Sequence, residues 1–119
     1  MDSKPALEAF AQRYVVAGFR ERFVHEAMKR PEKLHSRICH SIEDVLPASF
    51  AGNPAPFSSE DQCLVLEGSR GFRATTWGAL RRQVGLGEGL LVVGNDGSRF
   101  YAETEAARGA PSVAYGHGS

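Results

Sequence analysis

Three of the chain's four histidines and one of its two cysteines fall within residues 25–40, HEAMKRPEKLHSRICH. Imidazoles and thiolates can hold zinc, and a Cys–His pair can act as an activated nucleophile. His35 and Cys39 are four apart, so a helix puts them on one face. His25 lies near the end of the preceding segment and can fold back across the turn. Cys63 would complete a four-ligand set if its strand passes beneath the second helix. His40 points about a hundred degrees away from Cys39 on a helix and does not share that face. The set lacks the paired-cysteine spacing of structural zinc sites. In the plainer reading Cys39 is a small buried apolar residue, and His35 and His40 are boundary or surface groups, His40 within reach of Glu43 or Asp44. The stretch is expected to be a helix–proline–helix corner, with His25, His35, Cys39 and Cys63 as its candidate metal residues.

A second pattern lies downstream. Gly68–Gly87 holds Arg70, Arg73, Arg81 and Arg82 and no acidic residue, in a chain whose 14 basic residues balance 14 acidic ones. Guanidinium groups grip carboxylates and phosphates with fixed geometry. Gly68, Gly71 and Gly78 allow close backbone approach. A helix opening after Thr75 or Thr76 would aim its first amides at an anion. The window, with Trp77 and the 47–61 loop, is therefore the candidate binding surface. A protein partner is the leading expectation, and nucleic acid or a phosphate-bearing ligand the alternative. The plain reading is a solvated face whose arginines pair with Glu60, Asp61 or Glu88. The stretch GSRGFR lacks the Gly-Lys-Ser/Thr ending of a phosphate-binding loop.

Carboxylates form no acid–base pair in the pattern. Glu43 and Asp44 diverge on a helix, Glu60 and Asp61 precede a strand, and nothing marks Glu103 or Glu105 as buried. There is no Gly-x-Ser-x-Gly elbow, and His25-Glu26 is followed at the metalloprotease position by Lys29 rather than histidine. No cofactor fingerprint is present, so no cofactor is expected. These observations point to a non-enzymatic protein-binding domain of the regulatory, inhibitor or immunity type. Nucleic-acid or phosphate binding through the arginines, and metal binding at the His/Cys corner, stand as alternatives.

The elements that must position these residues follow from periodicity. Leu7, Phe10, Tyr14, Val16, Phe19, Phe23 and Ala27 recur at helical spacing, with Gly18 a weak point and Pro31 ending the segment. Pro31 also suits the first turn of a second helix, whose stripe is Leu34, Ile38, Ile42 and Val45. Residues 47–61, with three prolines, read as a loop in which Phe50 and Phe57 anchor the chain to the domain. Gln62–Glu67 and Leu90–Val93 are apolar runs suited to strands covered on both faces. Gly68–Phe72 reads as a turn and Trp77–Val84 as a short helix capped by Thr75 or Thr76. Asn95–Ser98 marks a hairpin returning through Arg99–Thr104. The expectation is one α+β domain over residues 1–105, in the order α-α-β-α-β-β. Two helices would cover a mixed three-stranded sheet, and residues 106–119 would form a disordered tail.

Bulk properties bound the rest. At 119 residues and 42% apolar the chain can bury one core. The charge balance argues against wholesale binding of polyanions. No apolar run is long enough for a membrane span, and two cysteines without a secretory leader suggest free thiols in the cytoplasm.

Overall fold

A computed structural model of the chain describes residues 4–40, 45–46, 57–67, 70–84, 88–105 and 113–117. The first stripe folds as two helices rather than one: α1 (Lys4–Tyr14) and α2 (Arg20–Lys29), joined by a 3-10 turn at Ala17–Phe19. Two β-branched residues and Gly18 weaken the helix at this point. Tertiary contact completes the break, because Val16 takes extended geometry and donates its N–H to the Val45 carbonyl at 3.0 Å. Arg20 Nε donates to the Val15 carbonyl at 3.0 Å, satisfying an acceptor that the interrupted helix exposes.

Pro31 opens α3 (Pro31–His40), as its fixed φ and missing N–H favour. The α2–α3 corner is clamped by charge. Glu26 is 2% exposed, and its carboxylate accepts from Arg37 Nε at 2.9 Å and Nη2 at 3.2 Å. The Arg37 guanidinium also lies 5.1 Å from the centre of the Phe19 ring.

The remaining elements are β1 (Gln62–Glu67), β2 (Gly71–Thr76), α4 (Trp77–Leu80), a 3-10 turn (Arg81–Gln83), β3 (Glu88–Gly94), β4 (Arg99–Glu105) and β5 (Val113–His117). The α+β class holds, but the three-stranded mixed sheet does not. The described residues form a five-stranded sheet in the order β2-β1-β3-β4-β5, antiparallel at every junction. Two strands are added to the expected three, and the first is β2, whose sequence GFRATT holds one large apolar residue, Phe72, and reads as turn and cap. It pairs with β1 from Gln62↔Thr76 to Glu67↔Gly71. That hairpin reverses the chain, so β3 meets β1 antiparallel rather than parallel. Residues 113–117, placed by the sequence within a disordered tail, pair with β4 from Glu103↔Val113 to Arg99↔His117.

The sheet has two buried faces. Leu66, Leu91, Val93, Phe100 and Ala102 meet α1–α3, where Phe10 packs 5.4 Å from Phe23 and 5.3 Å edge-on to Phe100. Cys63, Val65, Leu90, Val92 and Tyr101 form the opposite face, closed by Phe57, Trp77 and Leu80. Four consecutive apolar residues in β1 and β3 are thereby explained, since successive side chains enter different cores.

At the hairpin tip Asp96 Oδ1 accepts from the Ser98 N–H at 2.9 Å and its hydroxyl at 2.7 Å, while Gly97 takes φ +77°. A Cβ on Gly97 would lie 2.6 Å from both the Ala6 carbonyl oxygen and the Phe10 nitrogen of α1. Gly97→Ala should therefore destabilise the fold by about 2 kcal/mol or more in urea unfolding, through both the left-handed backbone and the clash. Arg37→Ala should cost about 2 kcal/mol by the same measurement, because it strips the buried Glu26 carboxylate of its two-point partner.

Candidate binding surface

The His/Cys corner comes apart on the sheet. Cys39 is 6% exposed on α3, and its sulfur sits where a Cβ on Gly89 of β3 would lie, only 2.1 Å away. Gly89 takes φ +84°, so both its backbone and its missing side chain make room for Cys39. His35 Nδ1 lies 3.7 Å from Cys39 Sγ, as the four-residue spacing requires. Cys63 does not pass beneath α3 with its thiol facing it. It belongs to the opposite face of the sheet, packed with Phe57, Val65 and Trp77. His25 is exposed on α2 and lines a groove against α1. Among the described residues no three His, Cys, Asp or Glu side chains gather as a metal-holding group. The side chain of His40 lies outside the described residues.

The arginine window also divides. Trp77 is 4% exposed, tilted against Phe57 at 5.1 Å and edge-on to Tyr101 at 5.7 Å, so it closes the second core instead of meeting solvent. Thr76 caps α4 as expected, its hydroxyl accepting from the Ala79 N–H at 3.4 Å. The amides available for an anion are engaged internally: Trp77 N–H donates to the Asp61 carbonyl at 3.0 Å and Gly78 N–H to the Ser59 carbonyl at 2.8 Å. The loop end 57–61 is thus strapped over the second face, and Phe57 anchors it. Phe50 lies outside the described residues.

Asp61 pairs with Arg99, at 2.8 Å, rather than with the window. Arg99 in turn lies 5.0 Å from the centre of the Phe57 ring. The Ser58 amide, followed by Arg99, holds the Asp61 carboxyl below its ordinary range. Arg73, exposed on β2, is bound by Glu67 across the hairpin. Arg70 precedes β2, while Arg81 and Arg82 follow α4 beyond its other end. Six strand residues separate these groups by roughly 20 Å, so the four arginines do not make one patch. Arg70, Arg81 and Arg82 are exposed and form no ion pair among the described residues.

Two grooves adjoin instead at the end of α2. One, about 380 Å³, lies between α1 and α2 and is lined by Lys4, Glu8, Arg20, Val24, His25 and Met28 among others. The other, about 340 Å³, runs from Met28, Lys29 and Pro31 to Arg70 and Phe72 at the start of β2. Met28 borders both and is 43% exposed, the large apolar side chain left in solvent among the described residues. No family model, curated protein or solved structure matches the chain. No described helix is long and apolar enough to cross a membrane.

The sequence points neither to Met28 and Lys29 nor to the burial of Glu103, which is 0% exposed beside Tyr101. Burial, and then the Glu103 carboxylate, push the Tyr101 phenol up to about 12. Burial and then Asp61 push the Cys63 thiol from 9.0 to about 11. Both groups keep their protons in the folded state after the unfolded chain has released them. Their stabilisation is complete below about pH 9 and is lost as pH rises through 11 to 12. The urea midpoint should fall across that alkaline range, and Cys63→Ala should remove the part of the slope that begins near pH 9. The depressed Asp61 works at the other end: its contribution is present above the ordinary carboxylate range and disappears as pH falls below it.

Proposed function

We propose that the chain is a small cytosolic, non-enzymatic domain that acts by binding another protein, as a regulator, inhibitor or immunity-type binder does. The observation that carries this reading is Met28, exposed where two grooves meet and flanked by Lys29 and Arg70. A flexible, polarizable thioether beside Val24, Pro31 and Phe72, with Lys29 and Arg70 at the second groove, suits a protein surface that buries an apolar anchor and pairs its acidic neighbours. Trp77 is withdrawn from that surface by its packing, and Arg70 is the member of the arginine window that borders it.

The test is capture from native lysate with wild type and Met28→Asp side by side. A stoichiometric protein should be retained by wild type and lost by at least about tenfold on the variant, with the urea midpoint unchanged because Met28 is not in the core. Equal capture by both proteins would remove Met28 from the function.

A second reading is favoured by Arg70, Arg81 and Arg82, exposed and outside any ion pair among the described residues. Three phosphate contacts would make the affinity for an oligonucleotide fall with salt at a log–log slope of about −2 to −3. A gel shift that shows no binding at low salt would end that reading.

A further inference from the structure

We propose that the outer edge of β2 accepts an extended acidic segment of the partner as an added strand. This inference rests on the protein-binding reading and names the chemistry of the segment that binds. β2 stands at the end of the sheet, paired along all six residues with β1 and with no strand beyond it among the described residues. Alternate residues of such a strand turn N–H and C=O groups outward, a template for another chain. Edges are ordinarily blunted by bulges, prolines or inward charges. The β1–β2 register is unbroken, and Gly71–Thr76 contains no proline. Its one charge, Arg73, is already held by Glu67 of the same hairpin. Arg73 and Ala74, in the middle of the strand, are exposed.

The surroundings specify the segment. Cross-strand pairing places Phe72 and Ala74 on the helix-covered face with Leu66 and Leu64, and Arg73 on the other face with Val65. An added strand would set alternate side chains beside half-buried Phe72, over the groove walled by Met28 and Pro31. Its neighbouring residues would meet Lys29 and Arg70 at one end and approach Arg81 and Arg82 at the other. Alternating apolar and acidic residues fit that sequence of environments. A second copy of this chain fits poorly. Antiparallel self-pairing of β2 sets the start of one strand against the end of the other, bringing Arg70 of each copy toward Arg81 and Arg82 of its mate.

The experiment titrates a short synthetic peptide of alternating Val and Glu into the isotope-labelled full chain and follows amide hydrogen exchange. Binding should slow exchange at alternate residues of β2 by about tenfold or more, as new interstrand hydrogen bonds require. The same peptide N-methylated throughout should bind at least about tenfold more weakly, since its backbone donors are gone. Arg70→Glu should weaken the unmodified peptide while leaving the urea midpoint in place. Binding without protection of β2, or equal binding of a Val–Lys peptide, overturns strand addition by an acidic segment. So does displacement of the peptide by oligothymidylate, or protection of β2 that grows with protein concentration in the peptide's absence. Because Met28→Asp is scored separately by lysate capture, loss of the strand-addition result with Met28-dependent capture intact would leave the protein-binding reading standing with its contact elsewhere. Loss of both would remove that reading too.

Discussion

The sheet must be covered twice, and the rest of the structure follows from that need. Its central strands carry apolar side chains on both faces, each worth about 1.5–3 kcal/mol when withdrawn from water. An antiparallel sheet can leave one face wet. This one does not, because Cys63, Val65, Val92 and Tyr101 are as dry as Leu66, Leu91 and Phe100. Three helices supply one cover. The other is thin: one helical turn, Leu80, Trp77 and the returning Phe57. Such a short element cannot hold its place by propensity. It is held by the backbone hydrogen bonds to Ser59 and Asp61 and by the Arg99–Asp61 pair.

Two ion pairs act as fasteners at element junctions. Glu26 and Arg37 fix the turn between α2 and α3, which sets where α3 meets the sheet and hence where Cys39 meets Gly89. Arg99 and Asp61 fix the loop that closes the second core. Both arginines also lie over an aromatic ring, Phe19 in one case and Phe57 in the other. A guanidinium bound to a carboxylate can still present its plane to a ring, so one side chain joins a charge contact to an apolar one. Arg70, Arg81 and Arg82 have no such duty among the described residues: they are exposed and enter none of these ion pairs.

Much of the fold was legible in local pattern. Pro31 announced the helix corner, QCLVLE the doubly buried strand, Asn95–Ser98 the hairpin and Thr76 the cap. Each of these signals is carried by residues near one another in the chain. β2 escaped because Phe72 is the one large apolar residue among Gly71, Arg73, Ala74, Thr75 and Thr76, and an edge strand needs no stronger apolar pattern when its neighbour supplies the pairing. Its omission alone turned the sheet from antiparallel to mixed. The candidate sites were less legible, because each depended on which side of the sheet a residue faces. Cys39 and Cys63 cannot converge with the sheet between them, and Trp77 cannot be a contact residue while it is a lid. Met28 and Lys29 look like ordinary helix-end residues until Arg70 and Phe72 arrive beside them from forty positions away.

The approach of Gly97 to the backbone of α1 ties the two ends of the fold's history together. The same corner is joined by the Tyr14 hydroxyl, which donates to the Ser98 carbonyl at 2.5 Å across a separation of 84 residues. A ribosome adds that much chain in on the order of ten seconds. Through that interval the apolar stripe of α1 has been made but the surface it docks on has not, since β3 and β4 come last among its partners. Such long-range closure slows folding and leaves apolar surface waiting. The Tyr14–Ser98 bond and the Gly97 contact therefore close a loop of 84 residues, whose chain-entropy cost is met only once the hairpin tip has been made.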